Sequence, residues 1–131
     1  MSLSGNEPVW LLDTAVLIAH EISLANLGGA EGVRDARLLE SAMARPKNLF
    51  AFEKPDLHEL AAAYTSGIVK NHPFVDGNKR AGFLAGAAFL ELNGVTLIAS
   101  EPEATRIILG VASGVVNEAQ LADWYRESTS I

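Results

Sequence analysis

Cysteine is missing from all 131 residues. That removes disulfides, thiolate zinc sites and cysteine nucleophiles, and it suits a cytoplasmic protein. Positive charge is scarce as well. Ten lysines and arginines stand against 16 aspartates and glutamates, giving a formal net charge of −6 and a pI of about 4.9. A general nucleic-acid binder carries the opposite balance, so no direct contact with nucleic acid is expected. No run approaches the roughly 20 apolar residues that cross a bilayer, so no membrane partner is expected either. The N-terminus lacks the basic-then-apolar order of a secretory signal. What the chain does have is apolar material: 49% of it is hydrophobic in a mass of 13.9 kDa, enough for one core in one domain.

The pattern along the chain predicts helices with short links. Residues 1–8 read as a disordered lead-in or an expression scar, residues 9–127 as the domain and residues 128–131 as a frayed polar tail. Val9-Trp10-Leu11-Leu12 is a strand or a plug on the core. Asp13 or Thr14 caps a first helix that ends near Leu27, before Gly28-Gly29. His20 lies in that helix and reads as a packed or surface histidine. The glycine-rich stretch Gly28 to Gly32 lacks the Gly-Lys-Ser/Thr ending of a P-loop and reads as a turn. Asp35 caps a second helix that should stop before Pro46. Segment 46–55 lies between Pro46 and Pro55 and holds Leu49, Phe50 and Phe52. It is either a flap over a site or a loop whose aromatics enter the core. Asp56 and Glu59 form a capping box for a third helix, with an exposed His58 in its first turn. A fourth helix spans about Asn78 to Leu92 and stops at Asn93-Gly94. Its Gly82 and Gly86 lie four apart, which lets another helix come close. Val95 to Ile98 is an extended link. Boxes at Ser100 to Glu103 and Asn117 to Gln120 open two more helices. The sum is an all-α single domain, a compact bundle of about six helices.

The chemistry is concentrated in His72-Pro73-Phe74-Val75-Asp76-Gly77-Asn78-Lys79-Arg80. A neutral imidazole at His72 can accept a proton from a hydroxyl nucleophile. Asp76 can hold Mg2+, a hard cation that prefers carboxylate and phosphate oxygens. Gly77 lets the backbone come near an anion, and Asn78 can donate and accept hydrogen bonds. Lys79 and Arg80 put two cations at a helix N-terminus, against the helix dipole, so an anionic ligand is expected to compensate them. Phosphate suits this arrangement, and Arg80 can grip it with two nitrogens. Each residue alone fits a solvated loop, with Phe74 as a core anchor; the joint arrangement carries the reading. A metal-hydrolase reading would place His72 and Asp76 on one helical face. Pro73 and Gly77 interrupt any such helix, and no second histidine lies nearby.

This run resembles the signature of the Fic/Doc family, and in particular its Doc (death-on-curing) branch. Fic enzymes generally carry glycine where Lys79 stands, and a second arginine where Phe83 stands; both departures are Doc-like. The resemblance extends to Gly28-Gly29, Arg34-Asp35, Leu38 to Ala42, Ala44-Arg45-Pro46, Ala61 to Tyr64 and Phe89 to Gly94. It implies the helical Fic/Doc core. Fic enzymes usually move AMP from ATP to a protein hydroxyl. Doc instead moves the γ-phosphate to a threonine of elongation factor Tu and arrests translation. The lysine side chain is taken to fill the usual place of the phosphates, so that ATP binds reversed. On this chain the resemblance makes His72 the base and Asp76 the Mg2+ ligand. Gly77, Asn78, Lys79 and Arg80 become the nucleotide and transition-state contacts. It also implies a Phd-type antitoxin that folds on an apolar groove. Two other outcomes stay open: a Fic-type AMP transferase, or a binding module whose catalysis has decayed.

Overall fold

Ten consecutive residues, Leu60 through Val69, are buried in one helix. A helix hidden all round must lie in the middle of its domain, and the rest of the chain wraps this one. The computed structural model describes residues 7–130; the first six residues, which hold most of the expected lead-in, and Ile131 lie outside the described residues. The helices are α1 (Asp13–Leu27), α2 (Ala36–Phe52), α3 (Leu57–Asn71), α4 (Asn78–Leu92), α5 (Glu101–Ser113) and α6 (Glu118–Glu127). Helix α3 is the buried one. Helices α2, α4 and α6 make its main contacts, and α1 rests on α4. This is the all-helical bundle expected from the sequence.

Small residues let the helices meet closely. A Cβ on Gly82 of α4 would stand 2.8 Å from a Val69 methyl and 3.0 Å from the Thr65 carbonyl oxygen. A Cβ on Gly67 of α3 would stand 3.3 Å from Ala42 of α2. Gly86 lies against the hydroxyls of Thr65 and Tyr125. Those hydroxyls form a short buried chain. Thr65 Oγ1 donates to the Gly82 carbonyl at 2.8 Å. Its single proton is thereby used, so Tyr125 donates to Thr65 at 2.7 Å. Burial pushes the Tyr125 phenol up, and that of Tyr64 up to about 12.

Several expectations are corrected. Helix α2 does not stop before Pro46 but runs on to Phe52 with Pro46 buried inside it. An interior proline costs roughly 3 kcal/mol. The cost is offset by core contacts on both sides of it: Leu39, Ala42 and Met43 before, Leu49 and Phe50 after. Segment 46–55, expected as either a flap or a loop with its aromatics in the core, is mostly helix, with Leu49 and Phe50 packed on the core. Phe50 meets Trp10 edge-on at 5.6 Å between ring centres, and only Phe52 projects, at 88% exposure. Second, the tail expected to fray adds a strand. Thr129–Ser130 (β2) pairs antiparallel with Thr96–Leu97 (β1) in the register Thr96↔Ser130 and Leu97↔Thr129. His58, expected on the surface, is half-buried under this tail, 3.0 Å from the Thr129 hydroxyl. Third, Asp13 is the first residue of α1 rather than its cap, and Leu12 precedes it without a side-chain hydrogen bond.

Two of the three expected capping boxes form in full. Asp56 and Glu59, and likewise Asn117 and Gln120, form reciprocal capping boxes. Ser100 accepts only one way, from the Glu103 N–H. The apolar run before α1 is a plug. Leu11 is buried, with its N–H on the Tyr64 hydroxyl at 3.2 Å, and the Asn93 amide brackets the Val9 backbone.

Gly86→Ala places a methyl on the Thr65–Tyr125 hydroxyl pair. Urea denaturation should show a loss of about 1–3 kcal/mol, the usual cost of overpacking.

Candidate functional site

The link between α3 and α4 is the signature run, and the sequence explains its shape. His72 ends α3 in the left-handed conformation (φ 55°, ψ 54°), and among the described residues it is the one non-glycine with positive φ. Pro73 follows and cannot continue the helix. Gly77 is also left-handed (φ 79°) and opens α4 without a side-chain cap. Between them Phe74 is fully buried, anchoring the loop as its apolar ring suggested.

A second segment, residues 28–35 between α1 and α2, is laced to this loop. Val75 N–H donates to the Gly32 carbonyl at 3.0 Å. The N–H groups of Arg34 and Asp35 donate to the Pro73 carbonyl at 2.7 and 3.0 Å. The Arg34 guanidinium then covers the end of α3, donating to the carbonyls of His72 at 2.8 Å and Asn71 at 3.0 Å. A cation there satisfies orphan carbonyls and complements the negative end of the helix dipole.

Asp76 is held by both carboxylate oxygens. One accepts the Gly77 N–H at 2.8 Å and the other the Ala30 N–H at 3.2 Å. The Ala30 and Gly77 hydrogen bonds hold its pKa below the usual aspartate value, helped by the charges of Arg80 and Lys79. An ionised carboxylate has about four acceptor positions, so each oxygen retains room for a further partner. Among the described residues no three histidine, aspartate or glutamate side chains gather into a metal cluster. A cation here would thus take Asp76 together with oxygens of a bound substrate, the usual pattern for Mg2+.

The other predicted residues are placed as follows. His72 is exposed at the end of α3, and in the first turn of α4 Lys79 is exposed and Arg80 half-exposed. Arg80 Nη2 donates to the Gly28 carbonyl at 3.0 Å. Asn78 differs from expectation: it is buried, and its amide brackets the Phe74 backbone, accepting from the N–H at 2.9 Å and donating to the carbonyl at 3.0 Å. Its side chain closes the loop. Phe83 lies beside Trp124 of α6, 6.4 Å between ring centres.

Sequence reasoning missed three contributors. The Gly28–Gly32 stretch is a turn as read, but it also holds Asp76 and Arg80. A Cβ on Gly29 (φ 127°) would stand 3.0 Å from Asp76 Oδ2 and 3.3 Å from Arg80 Nη2. Arg34 gave no sign beyond its place in a familiar run. His20, read as incidental, is buried against the loop. A cleft of about 580 Å³ opens beside it between α1 and residues 29–33, with Phe74, Leu17, Leu24 and Val33 in its lining.

The helical domain thus brings a histidine, a carboxylate and two cations to one link and the uncapped helix start that follows it. Residues 10–90 match the Fic/DOC family, and the chain belongs to that family, within its Doc branch. It is similar to Toxin Doc of Mycolicibacterium smegmatis, with 43% identity over 86 residues. The match takes in 64% of this chain and 64% of that toxin, somewhat less than two thirds of the toxin's length.

Asn78→Ala leaves the buried Phe74 N–H and carbonyl without partners, and should cost about 2–3 kcal/mol in a thermal or urea melt. The amide shifts of Gly77 and Ala30 should report the titration of Asp76 with a midpoint below the ordinary 3.8. Because the folded value is the lower one, the carboxylate's contribution to stability is complete above the unfolded value. It fades as pH falls through the folded one.

Proposed function

We propose that this chain is a Doc-like toxin that transfers the γ-phosphate of ATP to a protein hydroxyl, with a threonine of elongation factor Tu as the target and arrest of translation as the result. The observation that carries the reading is the link between α3 and α4, which has His72 at its start, Asp76 before its end, and Lys79 and Arg80 in the following first turn of α4, whose start has no side-chain cap. The free N–H groups of that turn suit phosphate oxygens. His72 is exposed at the loop's edge and takes the proton from the incoming hydroxyl. The hydroxyl oxygen bonds to the γ-phosphorus as the bond from that phosphorus to the β-bridging oxygen breaks, and ADP leaves. Arg80, already tethered to Gly28, and Lys79 counter the charge spread over the transferred group. Asp76 would hold Mg2+, which supplies charge neutralisation to the phosphates when bound.

The identity of position 79 supports phosphate transfer over AMP transfer. An exposed lysine directly before Arg80 adds bulk and charge to the first turn of α4, where the AMP-transferring relatives generally carry glycine. A Phd-type antitoxin is the expected partner, and the exposure of Ile18 and Ile22 on α1, at 57% and 56%, supports an apolar contact with one.

The test is incubation with ATP labelled at the γ or at the α position, in a bacterial lysate. Label from the γ position alone, on a band identified as elongation factor Tu, is expected. Label from the α position would instead make the protein an AMP transferase, and no transfer from either would leave a binding module. A His72→Gly variant separates strain from chemistry. It relieves a left-handed non-glycine residue, so the melt should hold or rise by up to about 1 kcal/mol. Transfer should fall by about 10²–10⁴-fold.

A further inference from the structure

We infer that His20 is a positioning residue of the signature loop, holding the main chain of Asp76 so that its carboxylate and the start of α4 keep their places. The catalytic consequence rests on the phosphotransfer reading above; the structural consequence does not.

His20 sits in the middle of α1, 56 residues away in sequence, and is 4% exposed. A buried polar ring costs free energy unless its nitrogens find partners. Nε2 lies 2.7 Å from the Asp76 carbonyl oxygen. A carbonyl can only accept, so Nε2 carries the proton and the imidazole is the donor. The ring is also stacked on Phe74, with 3.8 Å between centres and 13° between planes. A Cβ added to Gly77 would come 3.4 Å from Nε2. The imidazole therefore touches Phe74 and Asp76 and leaves little room for a side chain at Gly77.

The loop's other tethers act elsewhere. Arg34 holds residues 71 and 72, the backbone bonds of Gly32, Arg34 and Asp35 hold 73 and 75, and Asn78 holds Phe74. Asp76 is held through its side chain by Ala30 and Gly77, and its carbonyl has His20 as its partner. Without that bond the peptide between Asp76 and Gly77 keeps only its N–H bond to the Asp76 carboxylate, so peptide, carboxylate and the start of α4 can turn together. A residue needed only to fill the core beneath Phe74 would be served as well by an apolar ring, which has no donor.

Two substitutions separate those roles. His20→Phe keeps a ring on Phe74 and removes the donor. His20→Gln loses the ring and can return an N–H donor to the same carbonyl. Amide hydrogen exchange is measured at Gly77 and Ala30, with Tyr64 and Ile68 in α3 as the reference for global packing. Removing one hydrogen bond should speed exchange at Gly77 and Ala30 by about tenfold in His20→Phe, with Tyr64 and Ile68 unchanged. His20→Gln should bring the rates back toward those of the unaltered chain. In γ-phosphate transfer, the kcat of His20→Phe should fall by a similar factor while KM for ATP holds, and His20→Gln should recover part of it. Unchanged exchange at Gly77 and Ala30 in His20→Phe would overturn the inference. So would acceleration spread evenly through α3, or a His20→Gln no better than His20→Phe. If the unaltered chain transfers no phosphate, the phosphotransfer reading falls, and the exchange rates still decide the role of His20.

Discussion

Close contact between α3 and α4 is the constraint on which the rest depends. Gly82 lies on the Thr65 carbonyl and Val69, and Thr65 donates back to the Gly82 carbonyl. Two helices held this near, and consecutive in sequence, leave a short link between them. That link has to reverse the chain at once, and it does so with one left-handed residue at each end, His72 and Gly77. The residues with chemical capacity lie in or directly after it. The burial of α3 is thus also the reason that His72 and the start of α4 stand together at the surface.

The two helix ends at this link are treated differently, and the difference is electrostatic. The end of α3 would present unsatisfied carbonyls and a partial negative charge. Arg34 reaches across from the segment before α2 and covers it. The start of α4 keeps its positive end uncapped, with Lys79 and Arg80 adding to it. Helices α2, α3, α5 and α6 all begin on a side-chain acceptor, namely Asp35, Asp56, Ser100 and Asn117. Asp76, next to the start of α4, turns its carboxylate toward the Gly77 and Ala30 N–H groups instead. Negative charge is near and fixed by those two bonds.

The same economy of contacts explains why Asn78 is buried. Its amide carries a donor and an acceptor, which match the N–H and carbonyl of Phe74. With Phe74 pulled inward and stacked under His20, the loop is fastened from inside, and its polar residues need no mutual contacts to hold their shape. Ala30 and Gly28 fasten it from outside through Asp76 and Arg80, and Gly29 between them leaves the room that a side chain would take.

Local rules in the sequence determined the helix count, most caps and the position of the reactive loop, because capping boxes, glycine stops and a dense polar signature act over a few residues. They also marked Gly82 and Gly86 as places of close packing. Only the tertiary structure decided the rest. Pro46 stays inside α2 because core contacts on both sides outweigh a local penalty. Thr129–Ser130 forms a strand because Thr96–Leu97 offers it an edge. His20, Gly29, Ala30 and Arg34 enter the site because folding brings them to Asp76, Arg80 and the end of α3. Hydrogen bonds between residues 37 to 56 positions apart leave no periodic or compositional trace, so no reading of short windows can find them.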